Sequence, residues 1–453
     1  SYLLGWLLAG LGALALWVQV IGAKPASPAS RITLHASRAW WLAAPLLALA
    51  AVSYWNGAVL DPLQFRGFPD YVTQMGGARR LLDGQLPYDP DVRVWTDVNL
   101  PPITLLLLFA PFTVLSELGG KLAYFLVNHL AFLAGLALLL TAARPPATVM
   151  RPVLWTSLVA AMALTFEPWH DSLRLGQQNG IVFCFLVLSL AALLRRRDTL
   201  AGIALTAALI GKPSSALLGL YFLYARRWRA ALACAASGLL VFLLTLPWAG
   251  RENWCFYLLE KAPEILAGTP QQSNVALLAL HARLFLPADA LSSFDAMPAL
   301  PAAQALTRVA QLLGALALWR LTRSGSDHPV RQDSVAVHLE FGIALVLSLS
   351  LVGHAWQSYV TWLIVAFVLL ADPRVWTGVP AGVRPWVVGI AAGSYAAVAL
   401  HDVALYKVIG TNSLAATVFA SLPNVALLVL AFALALLRSA YHAPERARAG
   451  ASA

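Results

Sequence analysis

Apolar runs long enough to cross a bilayer alternate with short polar breaks along almost the whole chain. Residues 3–21, 39–60, 121–142, 152–166, 180–194, 230–248, 305–321, 335–352, 358–371, 386–400 and 415–437 are the main ones. They predict membrane helices, because a hydrocarbon core about 30 Å thick takes about 20 apolar residues in helical form. One stretch breaks this rhythm. Residues 68–102 carry Asp70, Arg79, Arg80, Asp83, Asp89, Asp91, Arg93 and Asp97. Tyr71, Met75, Ala78 and Leu82 follow helical spacing on one face, with Gln74, Arg79, Arg80 and Asp83 elsewhere, which predicts a helix lying on the membrane surface. Gly84 and Pro87 end it. Residues 101–116 are apolar but short and contain Pro111, so they read as a re-entrant or interfacial helix. Between two basic clusters, Arg195–Arg197 and Arg226, Arg227 and Arg229, a single apolar stretch is interrupted by Gly211, Lys212 and Pro213. Each half is too short for a perpendicular crossing, which leaves Lys212 on a hairpin tip near membrane depth.

The cations set the topology. Lys24, Arg31, Arg38, Arg144, Arg151, Arg320, Arg323, Arg331, Arg374, Arg384, Arg438, Arg446 and Arg448 fall on the same side as the two basic clusters, and an excess of positive charge marks cytoplasmic loops. No cleavage-like break separates the first run from Lys24, so that run reads as a span rather than a leader. The expectation is an all-α polytopic membrane protein, a single integral domain over 1–453 with about 12 to 13 membrane segments. It has an external loop at 61–102 bearing interfacial helices, and a second external loop at 249–303 that reads as a lid or acceptor platform. His354, Trp356, Gln357 and Tyr359 then lie at an outer turn, level with Asp70. No internal repeat is evident.

Composition agrees with the pattern. The 453 residues are 60% hydrophobic and 11% charged, and the mean hydropathy of +0.72 excludes an ordinary soluble domain. A net charge of +10 raises nucleic acid as a partner, but no basic stretch is interleaved with aromatics as that reading needs. Several of the 16 tryptophans, among them Trp40, Trp41, Trp228 and Trp386, flank apolar runs where indole rings favour the interface. Cys184, Cys234 and Cys255 show no metal-ligand spacing and no disulfide pattern.

In this topology Asp70, Arg79, Arg80, Gln177, Asn179, Lys212, His354 and Gln357 share one face of the membrane. A carboxylate among cations and amides at the lipid boundary suits an anionic lipid headgroup that reacts. The carboxylate takes a proton from a hydroxyl, and positive charge meets the departing phosphate. Each residue also has a plainer reading. Asp70 suits a helix N-cap, Lys212 a side chain snorkelling to the surface, His354 the end of a helix, and Gln177 and Asn179 a hydrogen-bonded turn. Glu167 and Asp171 are reserve candidates for the base. The alternative function is a flippase or transporter of lipid-linked or anionic lipid substrates. Against it stand the missing repeat and the one-sided placement of polar residues.

Asp70-Tyr71, the run through Gly84 to Pro87-Tyr88, Pro101-Pro102 before an apolar helix, Gly176-Gln177 with Asn179, and Lys212-Pro213 before Arg226-Arg227-Trp228-Arg229 resemble the polyprenyl-phosphate-mannose-dependent alpha-mannosyltransferases. These form glycosyltransferase family 87 of the membrane GT-C class. The resemblance covers about Asp70 to Arg229, with a weaker echo at Ser350 to Tyr359. It implies a GT-C glycosyltransferase fold and a catalytic aspartate, Asp70, in the first large external loop. It also implies inverting transfer of mannose or a related sugar from a polyprenyl-phosphate-linked donor to a lipid or glycan acceptor, on the external or periplasmic face of a bacterial cytoplasmic membrane. Lys212, His354, Arg79 and Arg80 would bind the donor phosphate, and Tyr71, Tyr88, Gln177, Asn179, Trp356 and Gln357 the substrates. No metal or other cofactor is expected. Asp89-Pro90-Asp91 resembles a metal signature but reads more simply as a turn. Asn99-Leu100 stands where the family often has an aromatic, and Ser350 to Trp356 departs from the expected Ser-Pro and Trp-His pattern.

Overall fold

A computed structural model describes residues 47–65, 67–88, 102–144, 152–287, 290–291, 300–323, 333–376, 378–399, 401, 409 and 413–441. The first two predicted spans up to residue 46, Asp89-Pro90-Asp91 and Asn99-Leu100 lie outside them. Among the described residues the chain is helical, with no strand beyond a lone bridge between Asn274 and Trp356. After a π-helical turn, Trp55–Leu60, and a short turn of helix, Asp61–Phe65, the elements run in order. They are α1 (Pro69–Leu82), α2 (Ile103–Phe109), α3 (Glu117–Ala142), α4 (Pro152–Leu164), α5 (Glu167–Leu175), α6 (Asn179–Leu194), α7 (Asp198–Gly211), α8 (Leu217–Tyr224), α9 (Trp228–Phe256), α10 (Leu277–Arg283), α11 (Pro301–Arg323), α12 (Ser334–Leu351), α13 (Ile364–Leu370), α14 (Arg384–Ala399) and α15 (Leu414–Tyr441).

Among the described residues four helical stretches are long and apolar enough to cross a membrane: Glu117–Ala142, Trp228–Ala267, Ser334–Leu351 and Leu414–Tyr441. The central one is α12, where every residue from Val335 to Leu351 is buried, the condition of a helix that is apolar all round. Its one carboxylate, Glu340, is met by Arg438 of α15 at 3.0 and 2.6 Å, in keeping with the rule that charges inside a membrane protein are paired. By contrast α9 turns Leu232, Leu239, Leu240, Leu243 and Leu244 outward, the surface a lipid would cover. It kinks at Gly250, with Pro247 just before, where the helical ladder loses a donor.

The local signals act where the sequence carries them. Ser116 caps α3 by accepting from the Gly119 amide at 3.2 Å, and Asp333 caps α12 by accepting from Val335 at 2.8 Å. The 101–116 run becomes α2 followed by a 3-10 turn, Ala110–Val114, with Pro111 at the changeover. The Lys212 hairpin breaks as predicted. α7 stops at Gly211, Lys212 is extended, and a 3-10 turn from Pro213 leads into α8. One face was misread. In α1 the buried residues are Tyr71, Thr73, Gln74, Met75, Gly77, Ala78 and Leu81, while Leu82 is half exposed. The buried stripe therefore runs through Leu81 and takes in Gln74, because that amide has a partner across the helix interface.

Candidate active site

Four segments meet at one place: the start of α1, the turn between α5 and α6, the hairpin tip after α7, and the 3-10 helix Gln357–Leu363. Gly176 makes the meeting possible. It ends α5 in the left-handed conformation (φ 72°), and a Cβ there would lie 3.0 Å from the Cβ atoms of both Phe68 and Tyr71. Phe68 in turn holds a left-handed conformation (φ 44°, ψ 56°) that costs a side-chain-bearing residue about 1–2 kcal/mol. That strain sits directly before Pro69 and Asp70. It bends the chain so that the first turn of α1 points its carboxylate at the α5–α6 turn.

Gln177 is the hub. Its side-chain Nε2 donates to Asp70 Oδ2 at 2.5 Å, and its Oε1 accepts from Ser358 Oγ at 2.7 Å, Asn179 Nδ2 at 2.9 Å and Lys212 Nζ at 3.4 Å. Asn128 on α3 fixes the same turn by donating to the Gln177 carbonyl at 2.7 Å and accepting from the Ile181 amide at 3.2 Å. α3 can approach so closely because Gly180 lacks a Cβ, which would meet the Asn128 carbonyl and lie 2.9 Å from Asn128 Oδ1. The neighbouring amides add a second bracket. Gln74 of α1 donates to Gln178 at 3.3 Å, and Gln178 donates to the Gly211 carbonyl at 2.9 Å, beside Lys212.

Lys212 is 8% exposed. Its ammonium lies 3.8 Å from the centre of the Tyr359 ring and has no ion pair within the described residues. A buried cation so placed is attracted by the ring face but lacks full compensation. Burial pulls the Lys212 pKa down to about 7, opposed by the attraction of Asp70. Burial likewise pushes the Asp70 carboxyl above its usual range, with Lys212 and the Gln177 hydrogen bond acting the other way. Asp70 is only partly covered, and its Oδ1 has no hydrogen-bond partner within the described residues. His354 stands edge-on to Trp356, ring centres 4.2 Å apart, with a buried Nε2 that meets no hydrogen-bond partner in the described residues. Burial, with Lys212 nearby, lowers its pKa to about 3, so it is a neutral imidazole.

The remaining predicted residues divide. Gln357 donates to the His401 carbonyl, and its backbone amide reaches Ser273 at 2.8 Å. Tyr71 packs into an aromatic group with Phe109 and Tyr124, and Tyr88 stacks on Phe256 against Tyr257. Arg79 and Arg80 lie at the far end of α1, roughly 14 Å from Asp70 along the axis. Of the reserve bases, Glu167 is buried and bound to Arg174, with His170 at 3.5 Å.

Sequence reasoning did not find Ser358, Asn128, Gln74 or Gln178, nor the second layer behind His354. There Arg283 is 5% exposed and gives its guanidinium to carbonyls of Pro270 (3.1 Å), Gln271 (2.7 Å), Gln272 (3.2 Å), Asn274 (2.9 Å) and Ala420 (2.9 Å), and to Asn424 Oδ1 (3.0 Å). Asn274 then donates to Gly353 at 3.4 Å and accepts from Ala355 at 3.0 Å. The segment 269–276, expected within a lid or platform, is thus tied to both α15 and the His354 turn.

The sequence profile of glycosyltransferase family 87 matches residues 100–348, more than half of the chain. The chain belongs to glycosyltransferase family 87. The matched span of this family 87 chain includes Gln177, Asn179 and Lys212, while Asp70 and His354 flank it. A similar curated protein is the polyprenol-phosphate-mannose-dependent alpha-(1-2)-phosphatidylinositol mannoside mannosyltransferase of Mycobacterium tuberculosis, 30% identical over 235 residues. The alignment takes in 49% of this chain and 54% of that protein, so the chain spans about half the length of the curated relative it matches. Among solved structures, ArnT from Cupriavidus metallidurans bound to undecaprenyl phosphate has a TM-score of 0.39 at 13% identity, over 86% of this chain and 77% of that one.

Proposed function

We propose that this chain is a GT-C type membrane glycosyltransferase that moves mannose, or a related sugar, from a polyprenyl-phosphate carrier to a lipid or glycan acceptor, with inversion. The observation that carries the reading is the buried Lys212 ammonium, which has no ion pair in the described residues and is joined through Gln177 to the partly open carboxylate of Asp70. Family membership favours this reading over a carrier that only moves lipid across the bilayer.

The reaction follows from where the charges lie. Asp70 Oδ1 takes the proton of the acceptor hydroxyl as that oxygen forms its bond to the anomeric carbon. The bond from that carbon to the phosphate oxygen breaks, and its electron pair leaves with the polyprenyl phosphate. Lys212 meets the charge that builds up there, and the neutral His354 offers an N–H. We keep the phosphate role for these two, since Arg79 and Arg80 sit a helix length from Asp70. They suit lipid headgroups at the membrane surface. A phosphate monoester leaving group met by an ammonium requires no metal in this scheme. The site faces the outside of a bacterial cytoplasmic membrane, as the positive-inside pattern directs.

The test supplies synthetic polyprenyl-phosphate-mannose, and separately the arabinose and glucose analogues, to purified protein with a lipid extract and chelator. Phosphatidylinositol mannoside is the first defined acceptor to add, because the M. tuberculosis relative is named for it. Label entering a new lipid product supports the reading and names the donor. Label that instead crosses the bilayer of reconstituted vesicles unchanged would replace it with transport.

A further inference from the structure

Asp70 and Lys212 do not touch. A partly covered carboxylate this close to a buried ammonium would form a direct pair if nothing stood between them, and a paired carboxylate is a poor base. What stands between them is the Gln177 side chain, and chemistry fixes which way round it sits. An ammonium only donates, so the Gln177 atom facing Lys212 Nζ is Oε1, which also takes Ser358 Oγ and Asn179 Nδ2. The amide NH2 is thereby left facing Asp70 Oδ2, which accepts from it, so any proton the carboxyl takes up goes to Oδ1. The backbone of Gln177 is held just as firmly by Asn128 and the Gly176 turn, so the side chain cannot withdraw without breaking buried hydrogen bonds.

We infer that Gln177 is the positioning residue of the base: an orientation-locked amide that holds Asp70 by Oδ2, keeps Lys212 free for the donor phosphate, and leaves Oδ1 as the atom that receives the acceptor proton. The inference rests on Asp70 being the base. It assigns Gln177 no contact with either substrate, in contrast to a role in binding sugar. Among the described residues the titratable groups within electrostatic reach of Asp70 are Lys212 on the hairpin, Tyr124 on α3 and Tyr359 on the 3-10 helix.

The experiment measures kcat, KM and the pH profile of mannose transfer from synthetic polyprenyl-phosphate-mannose to phosphatidylinositol mannoside for Gln177→Ala, Gln177→Glu and Asp70→Asn. In Gln177→Ala, kcat falls about 100-fold, the loss expected when a reacting group is misplaced by about 1 Å, and the donor KM rises with it as Lys212 becomes free to pair with Asp70. Gln177→Glu is close to isosteric but donates only when its new carboxyl is protonated. Its alkaline limb is therefore set by ionisation of that new carboxyl and lies at lower pH than the limb that loss of the Lys212 proton sets in the wild type, while both proteins still lose activity as Asp70 is protonated. A wild-type kcat in Gln177→Ala, a change confined to donor KM, or a wild-type pH profile in Gln177→Glu would each overturn the inference. Should Gln177→Ala fail to fold, the pH profile of Gln177→Glu decides alone. Turnover by Asp70→Asn would instead remove the base assignment itself, which separates the two failures.

Discussion

Replacing Gly176 by alanine tests how the fold aims Asp70. The added Cβ would sit 3.0 Å from the Cβ atoms of Phe68 and Tyr71, against an ordinary carbon contact of roughly 3.5–4.0 Å, so the start of α1 must retreat by roughly 0.5–1 Å. Asp70 lies between those two residues, and its 2.5 Å bond to Gln177 stretches by a similar amount. The left-handed backbone adds a folding cost of about 1–2 kcal/mol for a residue with a side chain. A displacement near 1 Å at a reacting group costs up to about 100-fold in rate, so kcat should fall roughly 10- to 100-fold with the donor KM little changed. Gly238→Ala on α9 is the control, because a Cβ there meets nothing within 4 Å, and alanine in a helix interior is more stable than glycine by about 0.5–1 kcal/mol. The assay is mannose transfer with thermal unfolding in detergent measured on the same samples. A lowered melting temperature in Gly176→Ala with wild-type kcat would refute the claim that this close approach sets the carboxylate.

Three further outcomes follow from the same geometry. Activity against pH should be bell-shaped: it rises as Asp70 ionises through a pKa raised by burial, and falls as Lys212 loses its proton near pH 7, and Lys212→Arg should carry the alkaline limb beyond the assay range. A profile flat from pH 5 to 9 would contradict the pairing of roles. Arg283→Lys should destabilise by at least about 3 kcal/mol in thermal unfolding, since an ammonium replaces at most half of the six contacts and buried carbonyls are left unpaired at about 1 kcal/mol or more each. Arg438→Met should cost about 3–5 kcal/mol by stranding Glu340 inside the bundle, and adding Glu340→Leu should recover much of that loss.

The sequence carried the parts of the site that are local. Gly176 before Gln177 and Asn179, Lys212 on a broken hairpin, and Asp70 after a proline all stand out as polar or helix-breaking residues in an apolar chain, and the fold brings these four polar side chains together. What periodicity cannot supply is which faces meet. Ser358 reaches Gln177 across 181 residues of sequence and Gln74 meets Gln178 across 104, and nothing in either neighbourhood marks a hydroxyl or an amide as bonded. Arg283 was hidden for a different reason. An arginine in a long polar stretch reads as solvated, yet here backbone carbonyls from a tightly turned segment take up its donors inside the fold. Tyr71 and Tyr88 stand out through the family resemblance, and periodicity gives no hint of the aromatic partners their rings pack on.

The most direct test of the account compares wild type and Asp70→Asn, an isosteric change that keeps the Gln177 contact site but removes the base. Transfer of labelled mannose from synthetic polyprenyl-phosphate-mannose and binding of polyprenyl phosphate are measured on both proteins, in chelator. The account predicts that the variant folds and binds the lipid phosphate through Lys212 as the wild type does, yet forms no product. Product formed by Asp70→Asn at a rate near that of the wild type would contradict it.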